Sequence, residues 1–310
     1  MKNKIIIGTR GSQLALWQAN FIKSEIEGHF PDLKVELLII KTTGDQITDR
    51  PLAMVGGKGL FVKEIETALL NKDIDIAVHS MKDMPGELPD SLTIGAIPKR
   101  ENPFDVLISH DNKMLADYKI GAKIGTSSLR RASQIKHIRP DVRIESIRGN
   151  LDTRIKKLQA GDYDAIVLAA AGLRRLGQSD VITQYLDETI MIPAVGQGAL
   201  CIETRKNDKN IAPVMKYLDH SDSRICVTGE RAFLRRIEGS CHIPVACFAR
   251  MVDNGVEMTA IVASEDGKQL IKEQLISPLD QVELSGQALA DQVLAKGGRK
   301  ILECLNANDS

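Results

Sequence analysis

The sequence predicts an α/β protein made of two lobes with mainly parallel sheets, followed by a C-terminal α+β domain. Three observations support this fold class. Strand and helix patterns alternate from the N-terminus to about residue 194, and such alternation is typical of βαβ units and parallel sheets. The alternation is interrupted at 98–103 and again at 193–198. After residue 220 it gives way to a helix followed by clustered strands.

The first lobe opens with apolar strand patterns separated by amphipathic helix patterns. Ser12 is typical of a helix N-cap, and apolar residues from Leu14 to Ile22 recur at helical spacing after it. Since ligands of parallel α/β sheets bind at the carboxyl ends of strands, the loops after these strands are the candidate binding loops. The patterns predict strands at 4–8, 34–41, 74–79 and 92–97, and a second helix over 60–71.

The second lobe repeats this alternation after a Pro-rich break at 98–103, which we interpret as a hinge. A second crossing at 193–198 leads to an apolar stretch, 199–203, that can return as a strand to the first lobe. The predicted elements of the second lobe are strands at 104–110, ending near Gly125, at 142–147 and at 165–170, with helices over 128–138 and after Asn150. The predicted domains are 1–98 plus 195–219, 99–194 and 220–310.

The C-terminal region has the element order of an α+β domain. It begins with a helix pattern over about 223–237 and a loop from Glu238 to Pro244. Strand patterns and a final helix follow, near 245–251, 256–263, 269–276 and from about Leu279 onward.

Composition and charge exclude several classes of function. The 310 residues include 41 basic and 41 acidic residues, whereas nucleic-acid binding relies on a surplus of cations. The longest apolar stretch, 165–173, is far shorter than the roughly 18 residues of a membrane helix, and the apolar start is too short for a signal peptide. We therefore expect a cytoplasmic protein without nucleic-acid or membrane partners. Five cysteines without a CxxC pair disfavour disulfides and a metal site.

Short Gly/Ser/Thr loops that carry Arg or Lys follow most of the predicted strands. Backbone N–H groups and helix dipoles add to the side-chain charge there, so these loops suit a ligand rich in carboxylates or phosphates. Asp83 is the one acid beside these bases, which indicates a catalytic role, with a turn residue before Pro85 as the even alternative. The loops are 9–12, 56–59, 79–83, 125–131, 148–150 and 172–175.

Ordinary structural roles compete with ligand binding in these loops. The loop 56–59 lacks the spacing of a nucleotide phosphate loop, and we interpret it as a lid. Arg130 or Arg131 alone would be a solvated base, but their position after 126–128, at a strand-to-helix turn, favours an anion site. His79 ends an apolar strand and is more often a satisfied structural histidine than a catalyst.

Cys241 differs from the other cysteines because it lies in a Gly-Ser-Cys-His loop after a helix that carries Arg235 and Arg236. Nearby cations favour the thiolate, which is the reactive form of cysteine. No Asp/Asn and His set supports a hydrolase triad, so covalent attachment of another group competes with a buried, inert cysteine.

Several separate motifs occur in order along the chain: Arg10-Gly11-Ser12-Gln13-Leu14-Ala15-Leu16-Trp17, Val55-Gly56-Gly57-Lys58-Gly59-Leu60-Phe61, Ala77-Val78-His79-Ser80-Met81-Lys82-Asp83, Gly125-Thr126-Ser127-Ser128-Leu129-Arg130-Arg131, Arg148-Gly149-Asn150, Pro193-Ala194-Val195-Gly196-Gln197-Gly198 and Gly239-Ser240-Cys241. With these motifs the chain resembles the hydroxymethylbilane synthase family, also called porphobilinogen deaminase, over essentially its whole length. The resemblance implies two lobes built like periplasmic binding proteins and a third domain.

The resemblance also implies the chemistry. Four porphobilinogen molecules are joined head to tail with release of ammonia, and the linear product leaves as hydroxymethylbilane. The implied cofactor is dipyrromethane, held by a thioether to Cys241, in a monomeric enzyme. Asp83 matches the carboxylate that stabilises positive charge on pyrrole nitrogens and helps to shuttle protons. The residues that match cofactor- and substrate-binding positions are Arg10, Ser12, Lys58, Lys82, Thr126, Ser128, Arg130, Arg131, Arg148, Arg154, Arg175 and Gln197.

Small departures from the family pattern leave two rival interpretations open. Ser240 and His242 flank Cys241 where the family often has glycine and glutamine, and Met54 replaces a position that is often charged. A non-enzymatic anion-binding protein would share the lobes and basic loops but would not need the cysteine. A cysteine-dependent transferase without a pyrrole cofactor would leave the thiol free.

Overall fold

The structure is a computed structural model that describes residues 3–46, 60–237 and 243–308. The chain forms two compact units, Met1–Glu101 with Ala199–Arg224 and Asn102–Gly198 with Ile225–Ser310. Each is described by itself below. The three-domain division expected from the sequence stays a prediction.

Strands and helices alternate through the first unit, as the sequence predicts. Each strand predicted for the first lobe is present, and its ends differ from the prediction by no more than about two residues, which is the usual uncertainty of element ends. The described elements are β1 (Lys4–Thr9), α1 (Gln13–His29), β2 (Lys34–Ile39), α2 (Thr43–Gln46), α3 (Lys63–Leu70), β3 (Ile76–Ser80), β4 (Leu92–Ala96), β10 (Leu200–Arg205) and α7 (Ala212–Leu218).

A five-stranded sheet in the order β2-β1-β3-β10-β4 forms the centre of the first unit. β1 pairs in parallel with β2 and β3, whereas β10 is antiparallel to both of its neighbours, β3 and β4. Four of its five strands therefore run in one direction. The pairing of β10 confirms that the stretch after the second crossing returns to the first sheet.

Helix α1 shows how local sequence places the first candidate loop. Ser12 has an extended backbone, and its hydroxyl accepts a hydrogen bond from the N–H of Ala15, so it is the predicted N-cap. The apolar face of α1 packs on β1 and β3 through Ala19, Ile22 and Ile26, which are fully buried. The loop from Arg10 to Ser12 is thereby fixed between a buried strand and a buried helix face.

The second unit contains two sheets with their helices. The described elements are β5 (Asp105–Ser109), β6 (Lys123–Gly125), α4 (Leu129–Ile138), β7 (Arg143–Glu145), α5 (Leu151–Gln159), β8 (Ala165–Ala169), α6 (Ala170–Arg175), β9 (Gln184–Leu186), α8 (Ser221–Arg236, which begins in the first unit), β11 (Val245–Val252), β12 (Gly255–Ala263), β13 (Leu270–Ser277), α9 (Val282–Val293) and α10 (Arg299–Asn308).

Its larger sheet has the order β7-β6-β8-β5-β9. β6 pairs in parallel with β7 and β8, while β5 is antiparallel to β8 and β9. Because β5 runs backwards, its first residue, Asp105, pairs with Ala169 at the end of β8. The reversed strand therefore brings an acid to the sheet edge where the basic loops after β6, β7 and β8 begin.

The smaller sheet is antiparallel, in the order β11-β12-β13, and it packs against α8, α9 and α10. Its core includes Phe233 of α8, Met258 of β12 and Leu289 of α9, all fully buried. An antiparallel sheet with helices on one face is the α+β arrangement predicted for the C-terminal region. The α/β fold class with mainly parallel sheets and a C-terminal α+β region is thus confirmed.

One candidate loop is wrong as a structural assignment. Residues 172–175 belong to α6, which begins at Ala170 directly after β8. Gly172 is buried inside this short helix rather than forming a turn, so the helix contains the basic residues that the sequence prediction assigned to a loop. The strand β9 and the helix α7 were not predicted at all.

Candidate active site

The strand-to-helix turn after β6 places the first pair of predicted binding residues. Thr126 donates its N–H to the Glu145 carbonyl over 2.9 Å, and its Oγ1 accepts from the Ser128 N–H at 3.2 Å. Ser128 has an extended backbone and is the N-cap of α4, but its hydroxyl makes no capping hydrogen bond. The hydroxyl at this helix start is therefore not engaged in capping.

Arg130 and Arg131 follow in the first turn of α4, and both are buried with exposures of 5% and 7%. Arg130 Nη1 donates to Asp105 Oδ2 at 2.7 Å, and its Nη2 donates to Asp105 Oδ1 at 3.2 Å. Arg131 Nε donates to the same Oδ1 at 2.8 Å. The two guanidinium groups also donate to the carbonyls of Ile192 and Val167, and Arg131 Nη2 lies 2.8 Å from Asp105 Oδ1. The pair is thus a built, buried feature rather than a solvated helix face.

Charges at this position shift each other's pKa. Burial alone would raise the pKa of Asp105, but the charges of Arg130 and Arg131, with hydrogen bonds from Arg130 and Gln197, outweigh burial and hold it well below its usual range. Burial lowers the pKa of Arg131. Burial, and then repulsion from Arg131, lower the pKa of Arg154. Arg130, Arg131 and Arg154, which we call the arginine cluster, thus carry more positive charge than Asp105 neutralises.

Gln197 connects this cluster to the second crossing. Its Nε2 donates to the Pro103 carbonyl at 2.7 Å and to Asp105 Oδ1 at 3.1 Å, and the side chain is almost fully buried. The neighbouring Gly196 N–H donates to Glu230 Oε2 at 2.6 Å, and Glu230 Oε1 accepts from the N–H of Ala249 at 2.9 Å. Buried polar contacts of Gly196 and Gln197 within the second unit therefore hold the crossing.

The remaining arginines of this unit differ in how far they are engaged. Arg154 Nε donates to the Gly149 carbonyl at 2.9 Å, and Gly149 has a φ of +111° that favours glycine. Arg175 is buried and donates from Nη2 to the Gly198 carbonyl at 2.7 Å. Arg148 is half-buried, and its side chain has no hydrogen bond or ion pair with any residue that the structure describes. Arg148 is consequently the most available cation of this group.

In the first unit, Arg10 is held by an acid of the same unit. Its Nε donates to Asp45 Oδ1 at 3.1 Å, its Nη2 contacts the same oxygen, and its guanidinium carbon lies 4.0 Å from the centre of the Phe61 ring. Asp45 also accepts from the Thr42 hydroxyl at 2.8 Å. Burial would raise the pKa of Asp45, but the hydrogen bonds from Arg10 and Thr42 and the charge of Arg10 lower it. A ligand carboxylate would compete with Asp45 for Arg10.

Asp83 ends a short 3₁₀ turn, Met81–Asp83, directly after β3. Buried Met81 anchors this turn, because its N–H donates to the Ala199 carbonyl at 3.0 Å and its carbonyl accepts from the Met84 N–H at 3.1 Å. Asp83 is exposed and has no hydrogen bond or ion pair within the described ranges, while Lys82 is half-buried. The fold thus presents, on a well-anchored turn, a carboxylate that has no partner in the described part of the chain.

A buried acid and a buried histidine lie beneath this turn in the same sheet. His79 Nε2 and Glu203 Oε2 are 3.0 Å apart, and their side chains are 4% and 0% exposed. This contact agrees with the expectation of a structural histidine. Burial, and then the charge of Glu203, raise the pKa of Glu66 on α3, while His79 acts in the opposite direction.

Two predicted site residues, Lys58 and Cys241, lie outside the described residues, as do the lid loop 56–59 and residues 238–242 of the loop that contains Cys241. The other predicted residues fall into two groups by unit. Arg10, Ser12, Lys82 and Asp83 belong to the first unit, and Thr126, Ser128, Arg130, Arg131, Arg148, Arg154, Arg175 and Gln197 belong to the second.

The sequence prediction missed Asp105 and Asp45, which hold the arginines that it identified. Asp105 follows Pro103-Phe104 at the start of an apolar strand. An acid at the start of a buried strand needs a cationic or hydrogen-bonding partner, and this requirement could have indicated Asp105. Its partners, Arg130 and Arg131, are 25 and 26 residues away in sequence, and only the strand order of the folded sheet identifies them. Asp45 lies in the short helix α2 after β2, and nothing in its local sequence marks it as the partner of Arg10.

Residues 3–46, 60–237 and 243–308 contain no group of three or more His, Cys, Asp or Glu side chains that could hold a metal ion. The expectation that no metal takes part in the reaction stays a prediction. In the same described ranges, no helix is long and apolar enough to cross a membrane.

The second unit carries an arginine cluster, and the first carries a carboxylate that has no partner among the described residues. On an α/β scaffold, such groups are typical of an enzyme that acts on an anionic ligand by acid-base or electrostatic catalysis. Residues 5–213 match the family model described as "Porphobilinogen deaminase, dipyromethane cofactor binding domain", and residues 224–295 match "Porphobilinogen deaminase, C-terminal domain". The chain belongs to the porphobilinogen deaminase family. The predicted family is thereby confirmed, together with the activity and the dipyrromethane cofactor that define it.

Curated relatives support the same assignment over almost the full length. The Porphobilinogen deaminase of Geotalea uraniireducens is 51% identical over 296 residues, which cover 96% of this chain and 93% of the relative. Those of Geobacter sulfurreducens and Syntrophobacter fumaroxidans are 50% and 48% identical, covering 97% and 98% of this chain and 94% and 98% of the relatives.

Two solved binding proteins show a distant likeness to this chain. The methionine-binding protein MetQ has a TM-score of 0.43 at 14% identity, covering 70% of this chain and 89% of MetQ. The periplasmic aliphatic sulphonate binding protein SsuA from Escherichia coli has a TM-score of 0.42 at 15% identity, covering 76% of this chain and 70% of SsuA. Likenesses at this level carry no argument about ligand or activity.

Proposed function

We propose that this chain is a transferase that condenses porphobilinogen into the linear tetrapyrrole hydroxymethylbilane, and that it works as a cytoplasmic monomer without nucleic-acid or membrane partners. The observation that carries the assignment of roles is the arginine cluster, whose three positive charges exceed the single negative charge of Asp105, its acid partner among the described residues. Porphobilinogen carries acetate and propionate side chains, so each pyrrole brings two carboxylates that such a cluster can bind.

The donor chemistry of the second unit fits a dipyrromethane. Guanidinium groups bind carboxylates through paired N–H donors, and the hydroxyl of Ser128 and the free side chain of Arg148 add further donors. When bound, the cofactor supplies the free α-carbon to which the first substrate is joined. We assign its binding to Ser128, Arg130, Arg131, Arg148 and Arg154, with its covalent attachment through a thioether at Cys241.

Asp83 has the catalytic role in this proposal. Positive charge develops on pyrrole nitrogens during each condensation, and a carboxylate that accepts a hydrogen bond from the pyrrole N–H stabilises that charge. The absence of an ion-pair partner for Asp83 among the described residues supports this role, because a carboxylate already paired with a cation would stabilise a second positive charge less. Its Oδ atoms can also take up and return a proton.

In the first unit, we assign Arg10 and Lys82 to binding of substrate carboxylates. The contact of Arg10 with Asp45 has side-chain exposures of 24% and 26%, so the pair is partly accessible to solvent and a substrate carboxylate can replace Asp45 as the partner of Arg10. Thr126 and Gln197 are almost fully buried and act by holding the backbone and Asp105. We assign Lys58 to contact with the growing chain and Arg175 to binding of ligand carboxylates.

Intact-mass measurement of the purified protein tests this function. We expect a mass above that of the sequence by two linked pyrroles, and we expect Cys241→Ser to lose both the added mass and the turnover of porphobilinogen. Cys304→Ser is the matched control, because Cys304 is an exposed cysteine on α10, and it should keep both. A wild-type protein that is unmodified yet active would contradict the proposed cofactor. An unmodified, inactive protein that binds carboxylates would indicate a binding protein instead.

A further inference from the structure

The carboxylate of Asp105 is the common partner of two arginines that the proposed function assigns to ligand binding. We propose that Asp105 is a positioning residue for the reaction: it fixes the guanidinium groups of Arg130 and Arg131 and sets the positive charge left for a ligand carboxylate. This inference rests on the proposed function, since it concerns the same arginines. It adds a residue that the motifs did not indicate.

The carboxylate of Asp105 shares hydrogen bonds with three side chains, and these bonds fix its orientation. Oδ2 of Asp105 accepts from Arg130 at 2.7 Å, while Oδ1 accepts from Arg131 Nε at 2.8 Å, from Arg130 Nη2 at 3.2 Å and from Gln197 Nε2 at 3.1 Å. Both oxygens are thus occupied, and the carboxylate cannot rotate without breaking contacts to three side chains. Asp105 itself begins β5 and is fully buried. The orientation of the arginines is therefore determined by a rigid strand.

Arg130 and Arg131 keep N–H donors that Asp105 does not use. A guanidinium group carries five N–H donors. Arg130 uses donors toward both oxygens of Asp105 and the Ile192 carbonyl, and Arg131 toward Oδ1 and the Val167 carbonyl. Neither group has its full set satisfied within the described residues. Asp105 therefore holds each arginine by part of its donors and leaves the rest for a ligand.

The positive charge around Asp105 exceeds the negative charge that Asp105 supplies. One carboxylate faces two guanidinium groups, and repulsion from Arg131 also lowers the pKa of Arg154. Buried unpaired charge is unfavourable, so the cluster favours an anion that brings its own negative charge. Without Asp105 the cations would repel one another out of position. A second acid would cancel the excess and weaken ligand binding.

A double-mutant cycle separates positioning from simple stabilisation. The variants are Asp105→Asn, Arg131→Gln and the double variant, with Asp75→Asn as control. Asp75 is another buried aspartate that contacts an arginine, Arg205 at 3.4 Å, and it lies outside the proposed site. The readouts are the thermal midpoint, the fraction of purified protein that carries two pyrroles by intact mass, and kcat and KM for porphobilinogen.

We expect Asp105→Asn to lower the loaded fraction and raise KM roughly tenfold, the scale of one lost charge-assisted contact, with a smaller change in kcat. In loading and KM the double variant should lose more than Arg131→Gln but less than the product of the two single losses, because Asp105 acts through Arg130 and through the arginine that is already absent. It should also be more stable than Asp105→Asn, since one unpaired cation has been removed. Asp75→Asn should lose stability but keep loading and KM.

Several outcomes would overturn the inference. Wild-type loading and KM in folded Asp105→Asn would show that Asp105 only stabilises the fold, and the proposed function would stand. Losses in the double variant that equal the product of the two single losses would also refute positioning through Arg131. If Asp105→Asn does not fold, the double variant decides: loading and KM no worse than in Arg131→Gln, or failure to fold where Arg131→Gln folds, would refute positioning. Absence of pyrroles and turnover in the wild type would instead refute the proposed function.

Discussion

Replacing Asp83 by Asn separates catalysis from folding at one position. Asp83 is exposed and has no partner within the described part of the chain, while the turn that presents it is held by backbone contacts of Met81. The exchange keeps the size of the side chain and removes its charge, so stability should change by less than about 0.5 kcal/mol, as for other exposed positions. The loss of the negative charge should affect only the reaction rate, because it matters only when positive charge develops on a pyrrole.

Turnover in Asp83→Asn should fall by on the order of 10², which is the effect of removing one preorganised stabilising group and corresponds to about 2.7 kcal/mol. Asp83→Glu keeps the charge and should retain a measurable fraction of activity. Asp90→Asn, at another exposed aspartate of the same unit, is the matched control and should behave as wild type.

The assay is single-turnover kinetics on protein whose loading has been checked by intact mass, together with a thermal unfolding curve. Normal turnover in loaded Asp83→Asn would refute the catalytic role and leave Asp83 as a turn residue before Pro85. A large loss of stability would show instead that the side chain has a structural contact.

Three further predictions follow from the site. His79→Leu leaves the carboxylate of Glu203 buried without its partner, so the free energy of unfolding measured in urea should fall by about 3 to 5 kcal/mol. Because the pKa of Glu66 is raised in the folded state, Glu66 contributes fully to stability below its ordinary pKa of 4.5, and this contribution is lost as pH rises through the raised pKa. Glu66→Gln should therefore flatten the dependence of the free energy of unfolding on pH in that interval. An unchanged pH profile would contradict this prediction. Arg148→Leu should lower pyrrole loading and raise KM without loss of thermal stability, whereas Arg143→Leu, at an exposed base of β7, should change none of them; equal behaviour of the two would show Arg148 to be an ordinary surface base.

Local signals in the sequence predicted the elements that present the site. Ser12 and Asn150 both act as N-caps through their side chains, at the helix starts where the sequence placed them. The apolar strands ending at Thr9, Ser80 and Gly125 also lie where predicted, because their periodicity is a local property of the chain.

The partners of the arginines depend on strand order, which no local pattern determines. Asp105 meets Arg130 and Arg131 only because β5 is antiparallel to β8, so its first residue lies at the edge where parallel strands end. The assignment of 172–175 to a loop failed for a different reason. Gly172 resembled a turn residue, but packing of Ala170 and Leu173 against the sheet stabilises a helix there.

The carboxylate of Glu230 links two regions that are far apart in the chain. It accepts hydrogen bonds from Gly196 in the crossing and from Ala249 in β11, and the helix that carries it leads toward residues 238–242. The next residue of the crossing, Gln197, contacts Asp105. The C-terminal region is consequently not an exchangeable module. A hybrid enzyme that takes residues 225–310 from a relative must bring a carboxylate at position 230. Without that carboxylate, Gly196 loses its hydrogen bond, and the neighbouring contact of Gln197 with Asp105, which holds Arg130 and Arg131, is weakened.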